Sequence, residues 1–279
     1  MISRILVGTD GSQHAITAEE YGIYLSKKLK RPVIAVYIMD KKLISEAIIE
    51  DVAAALGFGE YGDITDKIEE YLDEKGKAIL KAFAVKCRNA GADCSIAQAI
   101  GFVAYELVNM ADPEDLLIIG KKGVHEDILP FRLGSTAESI ARHSKCPVLL
   151  ADKEFREIKN IVIGFNGRGK SIKALQFATD LAKNLGLEGI TVLSVLNKDD
   201  EEIKLQLKQM VKGTVSGIDY QLIFKIGYPE EEILSYTQES ETDLLVIGAF
   251  GESRLKELIL GSTTSFLIQR TDIPVLVVK

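Results

Sequence analysis

The 279-residue chain has few of the residues that build covalent or metal-based scaffolds. Its cysteines, Cys87, Cys94 and Cys146, are odd in number and show no Cys-x-x-Cys spacing, so we expect neither a disulfide framework nor a thiolate zinc site. Its three histidines lack the spacing of metal ligands. These absences predict a protein without a metal site, in a reducing, cytoplasmic setting.

Long apolar runs and an excess of positive charge are also missing. No apolar run approaches the ~18 residues that a membrane-spanning helix needs, and the chain enters a short apolar strand directly instead of a signal peptide. The net charge of −7 disfavours a broad surface for nucleic acid. We therefore predict no membrane or nucleic-acid partner, whereas a small anion in a local pocket remains compatible with this composition.

Three short motifs occur twice in the same order, which indicates two copies of one fold. The pairs are Ile5–Gly11 with Ile161–Gly167, Asp115–Gly120 with Asp243–Gly248, and Pro147–Leu150 with Pro274–Val277. The offset falls from 156 to 128 residues between the first two pairs, so the first copy carries 28 more residues.

The repeat sets the domain boundaries that we expect: a first domain over residues 1–152, a charged linker over 153–159 and a second domain over 160–279. The additional residues of the first copy fall at about 41–66, where an apolar helical pattern precedes a glycine-rich turn. This segment is either an extra helix at the sheet edge or a lid or partner-docking helix.

Each copy alternates short Val-, Ile- and Leu-rich runs with longer segments of helical spacing, such as the stripe of Ala174, Phe177 and Leu181. The strands are expected near residues 3–8, 33–38, 93–98, 115–120 and 147–151, and near 160–165, 190–196, 219–225, 243–248 and 274–278. Apolar runs without polar alternation are typical of parallel strands covered on both faces. The sequence thus predicts an α/β protein of two tandem, doubly wound, five-stranded parallel sheets with helices on both faces, a Rossmann-like architecture.

Glycines and hydroxyl residues follow the fourth strand of the second copy. The order is Gly248, two residues, Gly251, nine residues, and then Gly261-Ser262-Thr263 at the start of a helix. Glycine permits close backbone approach, and a helix start offers unpaired N–H groups to an anion. The pattern predicts a cradle for a phosphate chain.

This spacing, with the Asp10-Gly11-Ser12 turn and the final Pro-Val-Leu strands, resembles the universal stress protein family in its tandem two-domain form. The resemblance spans essentially the whole chain and implies a site for ATP or AMP, with or without Mg²⁺. In the second copy it implies Gly248, Gly251, Gly261, Ser262 and Thr263 for phosphates and ribose, Asn166 for ribose and Val195 for adenine. In the first copy it implies Asp10, Ile38, Gly120, Gly123, Gly134 and Ser135.

Both copies depart from the family pattern. In the first, ten residues instead of nine separate Gly123 from Gly134, although Lys121, Lys122, His125 and Arg132 add positive charge that can meet phosphates. The second keeps the spacing but has Asn166 where the first has Asp10. We favour the second copy on sequence alone, because we expect the phosphate loop to contribute more of the affinity than one ribose contact.

The resemblance implies an adenine-nucleotide-binding, stress-response regulatory protein. The sequence shows no general base or covalent nucleophile in a catalytic arrangement, so we expect no catalytic residues and slow ATP hydrolysis at most. It also implies pairing of the last strands of the two domains as an intramolecular pseudo-dimer, which can dimerise again.

Two other functions stay open. Residues 164–171 fit the phosphate-binding pattern Gly-x4-Gly-Lys-Ser, which would make the protein a P-loop ATPase centred on Lys170. A nucleotide-free interaction scaffold with decayed sites is the other alternative.

Overall fold

The computed structural model describes residues 2–44, 62–124, 133–249 and 261–279, with side chains omitted at 62–64. Within these ranges the strands are β1 (Ile5–Gly8), β2 (Val33–Asp40), β3 (Cys94–Gly101), β4 (Leu116–Gly120), β5 (Val148–Ala151), β6 (Ile161–Gly164), β7 (Gly189–Leu196), β8 (Asp219–Ile226), β9 (Leu244–Gly248) and β10 (Val275–Val278). The helices are α1 (Gln13–Leu29), α2 (Lys41–Ile44), α3 (Gly62–Ala90), α4 (Val103–Met110), α5 (Ser135–His143), α6 (Gly169–Leu185), α7 (Glu201–Thr214), α8 (Pro229–Glu239) and α9 (Ser262–Arg270).

The strands form one sheet in the order β3-β2-β1-β4-β5-β10-β9-β6-β7-β8. Neighbouring strands within each half are parallel, so the predicted α/β class and doubly wound order are confirmed. All ten predicted strands are present, although β2 and β3 continue to Asp40 and Gly101. In each half the strand order reverses between the first and fourth strands, which is where α/β sheets bind ligands.

The two halves meet at an antiparallel contact between β5 and β10, where Leu149 pairs with Leu276. The two five-stranded sheets are therefore one continuous ten-stranded sheet. Because this contact is antiparallel, the carboxyl edge of the first half lies beside the amino edge of the second. The two strand-order reversals consequently open at opposite edges of the sheet.

The helices cover both faces of the sheet and bury one apolar layer on each. One layer contains residues such as Tyr21 of α1, Phe83 of α3 and Ala178 of α6. The other contains Ile140 of α5 and Leu267 of α9. These two continuous layers explain why the strand sequences lack polar alternation. In the described part of the chain, no helix combines the length and apolarity needed to cross a membrane.

The segment between the two halves has neither helix nor strand over 155–160, yet it is anchored. Ile158 is buried, the Phe155 ring lies 4.9 Å from the ring of Tyr21, and the Arg156 N–H donates to the Tyr21 hydroxyl at 3.1 Å. Burial raises the pKa of Tyr21 to about 12. The linker thus packs on α1, and its assignment as a domain boundary stays a proposal.

Much of the predicted extra segment 41–66 lies outside the described residues. The described parts are α2 and the first turn of α3, a helix of 29 residues that packs along β2 and β3. The alternatives of an edge helix and of a lid or partner-docking helix therefore both stay open as predictions.

The expectation of no disulfide is wrong for one pair of cysteines. Cys87, at the end of α3, is bonded to Cys94, at the start of β3, with a Cα–Cα distance of 6.3 Å. A turn through Gly91, whose φ is +68°, reverses the chain between them. A search for Cys-x-x-Cys spacing does not find this pair, because the two cysteines are seven residues apart. The turn between α3 and β3 brings their side chains together. Cys146 is buried and free, and burial raises the pKa of its thiol.

Candidate nucleotide site

The crevice of the first half lies between the carboxyl ends of β1 and β4. Its first wall is the turn that follows β1, where Asp10 Oδ1 accepts the Ser12 N–H at 2.9 Å. Ser12 in turn caps α1 by accepting the Ala15 N–H, and Gly11 has a φ of +77° that favours glycine. One carboxylate oxygen of Asp10 is thus engaged in fixing the turn.

The second oxygen of Asp10 faces the loop after β4. A Cβ built on Gly123 would lie 2.9 Å from Asp10 Oδ2, so glycine allows the loop to approach this carboxylate closely. The Gly134 N–H, at the start of α5, donates to the Lys121 carbonyl at 2.9 Å. The structure therefore brings together Asp10, Gly123 and the beginning of α5, where Ser135 is exposed.

Gly120 has a different role from the one that the motif suggests. A Cβ at this position would lie 2.8 Å from the backbone carbon of His14 and 3.0 Å from the Ala15 nitrogen. The glycine therefore allows the first turn of α1 to pack on the end of β4. Its counterpart Gly248 does the same in the second half, where a Cβ would lie 2.7 Å from the backbone carbonyl carbon of Lys170.

The end of β2 places two side chains on opposite faces of the sheet. The Ile38 side chain is buried in the layer that includes α5, so only its backbone can meet an adenine edge. Tyr37 is buried on the face of α3, where its ring lies beside Gly76. Burial, followed by the negative charge of Asp10, raises the pKa of Tyr37. Tyr37 was not among the site residues predicted from the sequence. It could have been considered, because it precedes Ile38 on the same strand and adjacent side chains of a strand point to opposite faces of the sheet.

Lys121 does not face the crevice, contrary to the expectation that it would meet phosphates. It is 3% exposed, and its Nζ donates to Asp152 Oδ2 at 2.8 Å and to the carbonyls of Thr271 and Ile273 at 2.5 and 2.8 Å. Burial lowers the pKa of Lys121 despite its carboxylate partner. Burial opposes ionisation of Asp152 as well, but the charge and hydrogen bond of Lys121, together with the Lys153 N–H, lower the pKa of Asp152. Lys122 is half-buried, while His125 and Arg132 lie outside the described residues.

In the second half, the turn after β6 is held by its own side chains. Asn166 Oδ1 accepts the Arg168 N–H at 3.1 Å and the Ser171 hydroxyl at 2.8 Å. An amide oxygen has two lone pairs, and these two bonds use both. Asn166 can therefore offer a ribose its amide N–H groups, whereas its oxygen is already engaged.

The same contacts bear on the P-loop alternative. The Ser171 hydroxyl, which would coordinate Mg²⁺ in a P-loop, also accepts the Arg168 N–H at 3.1 Å and lies 2.9 Å from the Arg168 carbonyl. Ser171 is buried and serves as a helix cap. The described residues include no group of three or more His, Cys, Asp or Glu side chains suited to a metal ion.

The start of α9 carries an acidic neighbour. The Thr263 hydroxyl donates to Glu230 Oε2 at 3.2 Å, and the Thr264 hydroxyl donates to the Gly248 carbonyl at 3.3 Å. Gly261 precedes the helix and Ser262 is exposed. Val195 is half-buried on β7, and Gly251 lies outside the described residues.

Comparison with known proteins decides the family. The model of the universal stress protein family matches residues 1–152 and 192–279. The chain belongs to the universal stress protein family. Both matched stretches contain a fourth-strand crossing, and the first contains the whole crevice between β1 and β4. In the second half, β6 and the turn after it lie outside the matched residues.

Among its relatives is the universal stress protein Slr1230 of Synechocystis sp. strain PCC 6803, which is 27% identical over 286 residues, with 99% of each chain covered. Universal stress protein MJ0577 of Methanocaldococcus jannaschii is 27% identical over 165 residues, which cover 54% of this chain and 93% of the relative. The crystal structure of a universal stress protein from Archaeoglobus fulgidus DSM 4304 aligns with a TM-score of 0.75 at 22% identity, covering 99% of this chain and 98% of that one. This structure supports the fold alone.

Proposed function

We propose that this universal stress protein binds an adenine nucleotide, ATP or AMP, in the crevice between β1 and β4, and that binding serves a regulatory role in a stress response. The observation that carries the proposal is the close approach of Asp10 Oδ2 to Gly123 at the reversal of strand order. A Cβ on residue 123 would lie 2.9 Å from this oxygen, so glycine lets the carboxylate and the loop after β4 meet. The contacts favour the first half, whereas the sequence alone favoured the second.

The groups around this crevice fit a nucleotide. Asp10 Oδ2 would accept a ribose hydroxyl as a charge-assisted hydrogen bond, which is stronger than a neutral one. The backbone at Gly123 and Ser135 would donate N–H groups to phosphates at the positive end of the α5 dipole, and Gly134, whose own N–H donates to the Lys121 carbonyl, would allow close approach. The backbone at Ile38 would meet the adenine edge. ATP, with or without Mg²⁺, would supply a phosphoanhydride, which AMP lacks, and we propose slow ATP hydrolysis at most.

The second half retains part of the same machinery: Gly248, Gly251, Gly261, Ser262, Thr263, Asn166 and Val195 are its proposed contacts. We propose further that β5 and β10 form an intramolecular pseudo-dimer in a cytoplasmic protein. Light scattering at several concentrations would establish whether two chains also associate.

The proposed function is tested by calorimetric titration of the full chain with ATP and AMP, after acid extraction of any co-purified nucleotide. Asp10→Asn keeps the acceptor for the Ser12 N–H but removes the charge, so we expect binding about fivefold to tenfold weaker. Asp93→Asn is the matched control, because Asp93 is an exposed aspartate at the opposite edge of the sheet.

Equal affinities of Asp10→Asn and wild type would contradict the assignment to this crevice. Absence of any nucleotide binding by the wild type would favour the scaffold alternative. Loss of binding in Lys170→Met, with Asp10→Asn unaffected, would favour the P-loop alternative.

A further inference from the structure

The two halves differ in charge at the helix that would receive the phosphates. In the second half, Glu230 lies in the first turn of α8 and its carboxylate accepts the hydroxyl of Thr263 in the first turn of α9. Glu230 is half-buried, so its charge is only partly screened by water. An anion of the chain itself is thus placed against the positive end of α9.

The first half has no acid at the equivalent position. The correspondence follows from the glycines that precede α4 and α8: a Cβ on Gly101 would contact Glu106, and a Cβ on Gly227 would contact Glu232. Counting three residues onward from each glycine gives Ala104 in the first half and Glu230 in the second. The methyl group of Ala104 brings no charge to the start of α5.

We infer that Glu230 excludes phosphate chains from the second half and so limits this protein to one tightly bound ATP per chain, held in the first half. The inference rests on the proposed function. The Glu230 carboxylate accepts the hydrogen bond of the Thr263 hydroxyl and interacts favourably with the positive end of the α9 dipole. A phosphate bound at the start of α9 would need both of these interactions. A phosphate entering there must also approach a carboxylate of the same sign.

Two positively charged residues stand at the start of α6, Arg168 at its N-cap and Lys170 in its first turn. Adenosine, which has no phosphate, does not experience the repulsion by Glu230. We therefore expect Glu230 to weaken the binding of ATP but not of adenosine. If the pocket itself were lost, the binding of both compounds would be weak.

The experiment is calorimetric titration of the full chain with ATP and, in parallel, with adenosine. Glu230→Gln keeps the length of the side chain and an acceptor for Thr263 while removing the charge. Glu231→Gln is the matched control, since Glu231 is the exposed neighbour in the same helical turn. Photocrosslinking with azido-ATP followed by peptide mapping assigns each bound nucleotide to a half.

We expect one ATP in the first half for wild type and for Glu231→Gln. We expect a second ATP in Glu230→Gln, bound at least about tenfold more tightly there than in wild type. The reciprocal variant Ala104→Glu should weaken ATP in the first half by at least about tenfold and leave adenosine affinity within about twofold.

Two ATP molecules bound tightly to the wild type, or no added site in a folded Glu230→Gln variant, would overturn the inference. If the wild type binds no ATP at all, the proposed function fails for the first half. In that case, ATP binding by Glu230→Gln in the second half would still support the exclusion of phosphates by Glu230. A folded Glu230→Gln variant that binds no ATP there would refute it.

Discussion

Two lysine side chains, one from each half, place their ammonium groups against backbone carbonyls of the other half. Lys121 donates to the carbonyls of Thr271 and Ile273, near the end of α9. Lys279 donates to the carbonyls of Ala141 and Arg142, near the end of α5. Carbonyls at helix C-termini attract cations, so both contacts stabilise the junction while burial opposes the charge.

The titration of Lys279 predicts a measurable dependence of stability on pH. Burial, followed by the charge of Lys170, lowers the pKa of Lys279 to about 8, whereas an unfolded lysine titrates near 10.4. Between these values the unfolded chain binds more protons than the folded chain, so the free energy of unfolding rises with pH. From pH 7.5 to 10 we expect wild type to gain about 1–3 kcal/mol relative to Lys279→Met in urea denaturation.

Lys198→Met is the control for this measurement, because the Lys198 side chain is 80% exposed. It should follow the pH dependence of wild type. A pH dependence unchanged by Lys279→Met would show that the ammonium group of Lys279 is not buried at the junction.

At the scale of secondary-structure elements, each fourth strand ends beneath the first turn of a helix. Gly120 ends β4 beneath α1, and Gly248 ends β9 beneath α6. The two contacts occupy equivalent places in the halves and bring strand and helix backbones into direct contact. The first glycine of the nucleotide motif is therefore required by helix packing, whether or not a phosphate binds nearby.

Gly248→Ala should destabilise the fold, because its Cβ would lie 2.7–2.9 Å from backbone atoms of Lys170 and Ser171, which have no flexible end to move. We expect a loss of about 1–3 kcal/mol in the free energy of unfolding. The control is Gly213→Ala in α7, where no atom lies within 4 Å of the new Cβ and helix propensity favours alanine by about 1 kcal/mol.

Urea denaturation of both variants checks the expectation. If Gly248→Ala proved as stable as Gly213→Ala, the close approach of β9 and α6 would be contradicted.

For the whole molecule, local sequence patterns predicted most of the fold. Buried parallel strands need nearly continuous apolar residues, so all ten strands could be located, and the repeated motifs gave two halves with one topology. The repeat also pointed to both crevices, because equivalent residues follow equivalent strands.

The contacts of several candidate site residues could not be predicted, because they join residues far apart in the chain. Lys121 contacts Thr271, 150 residues away, and Thr263 contacts Glu230, 33 residues away. No periodicity links such residues. From the sequence alone, the charge of Lys121 suggested a phosphate contact, and the intact spacing before Gly261 favoured the second half. The structure instead shows Lys121 bound to carbonyls of the other half and Thr263 bound to Glu230.

A crystal structure of the full chain grown with ATP tests most directly whether a nucleotide lies in the first half of the ten-stranded molecule. We predict electron density between the ends of β1 and β4, with a ribose hydroxyl within hydrogen-bonding distance of Asp10 Oδ2 and a phosphate at the start of α5. A crevice that stays empty at saturating ATP, or density at Lys170 with none beside Asp10, would contradict the account.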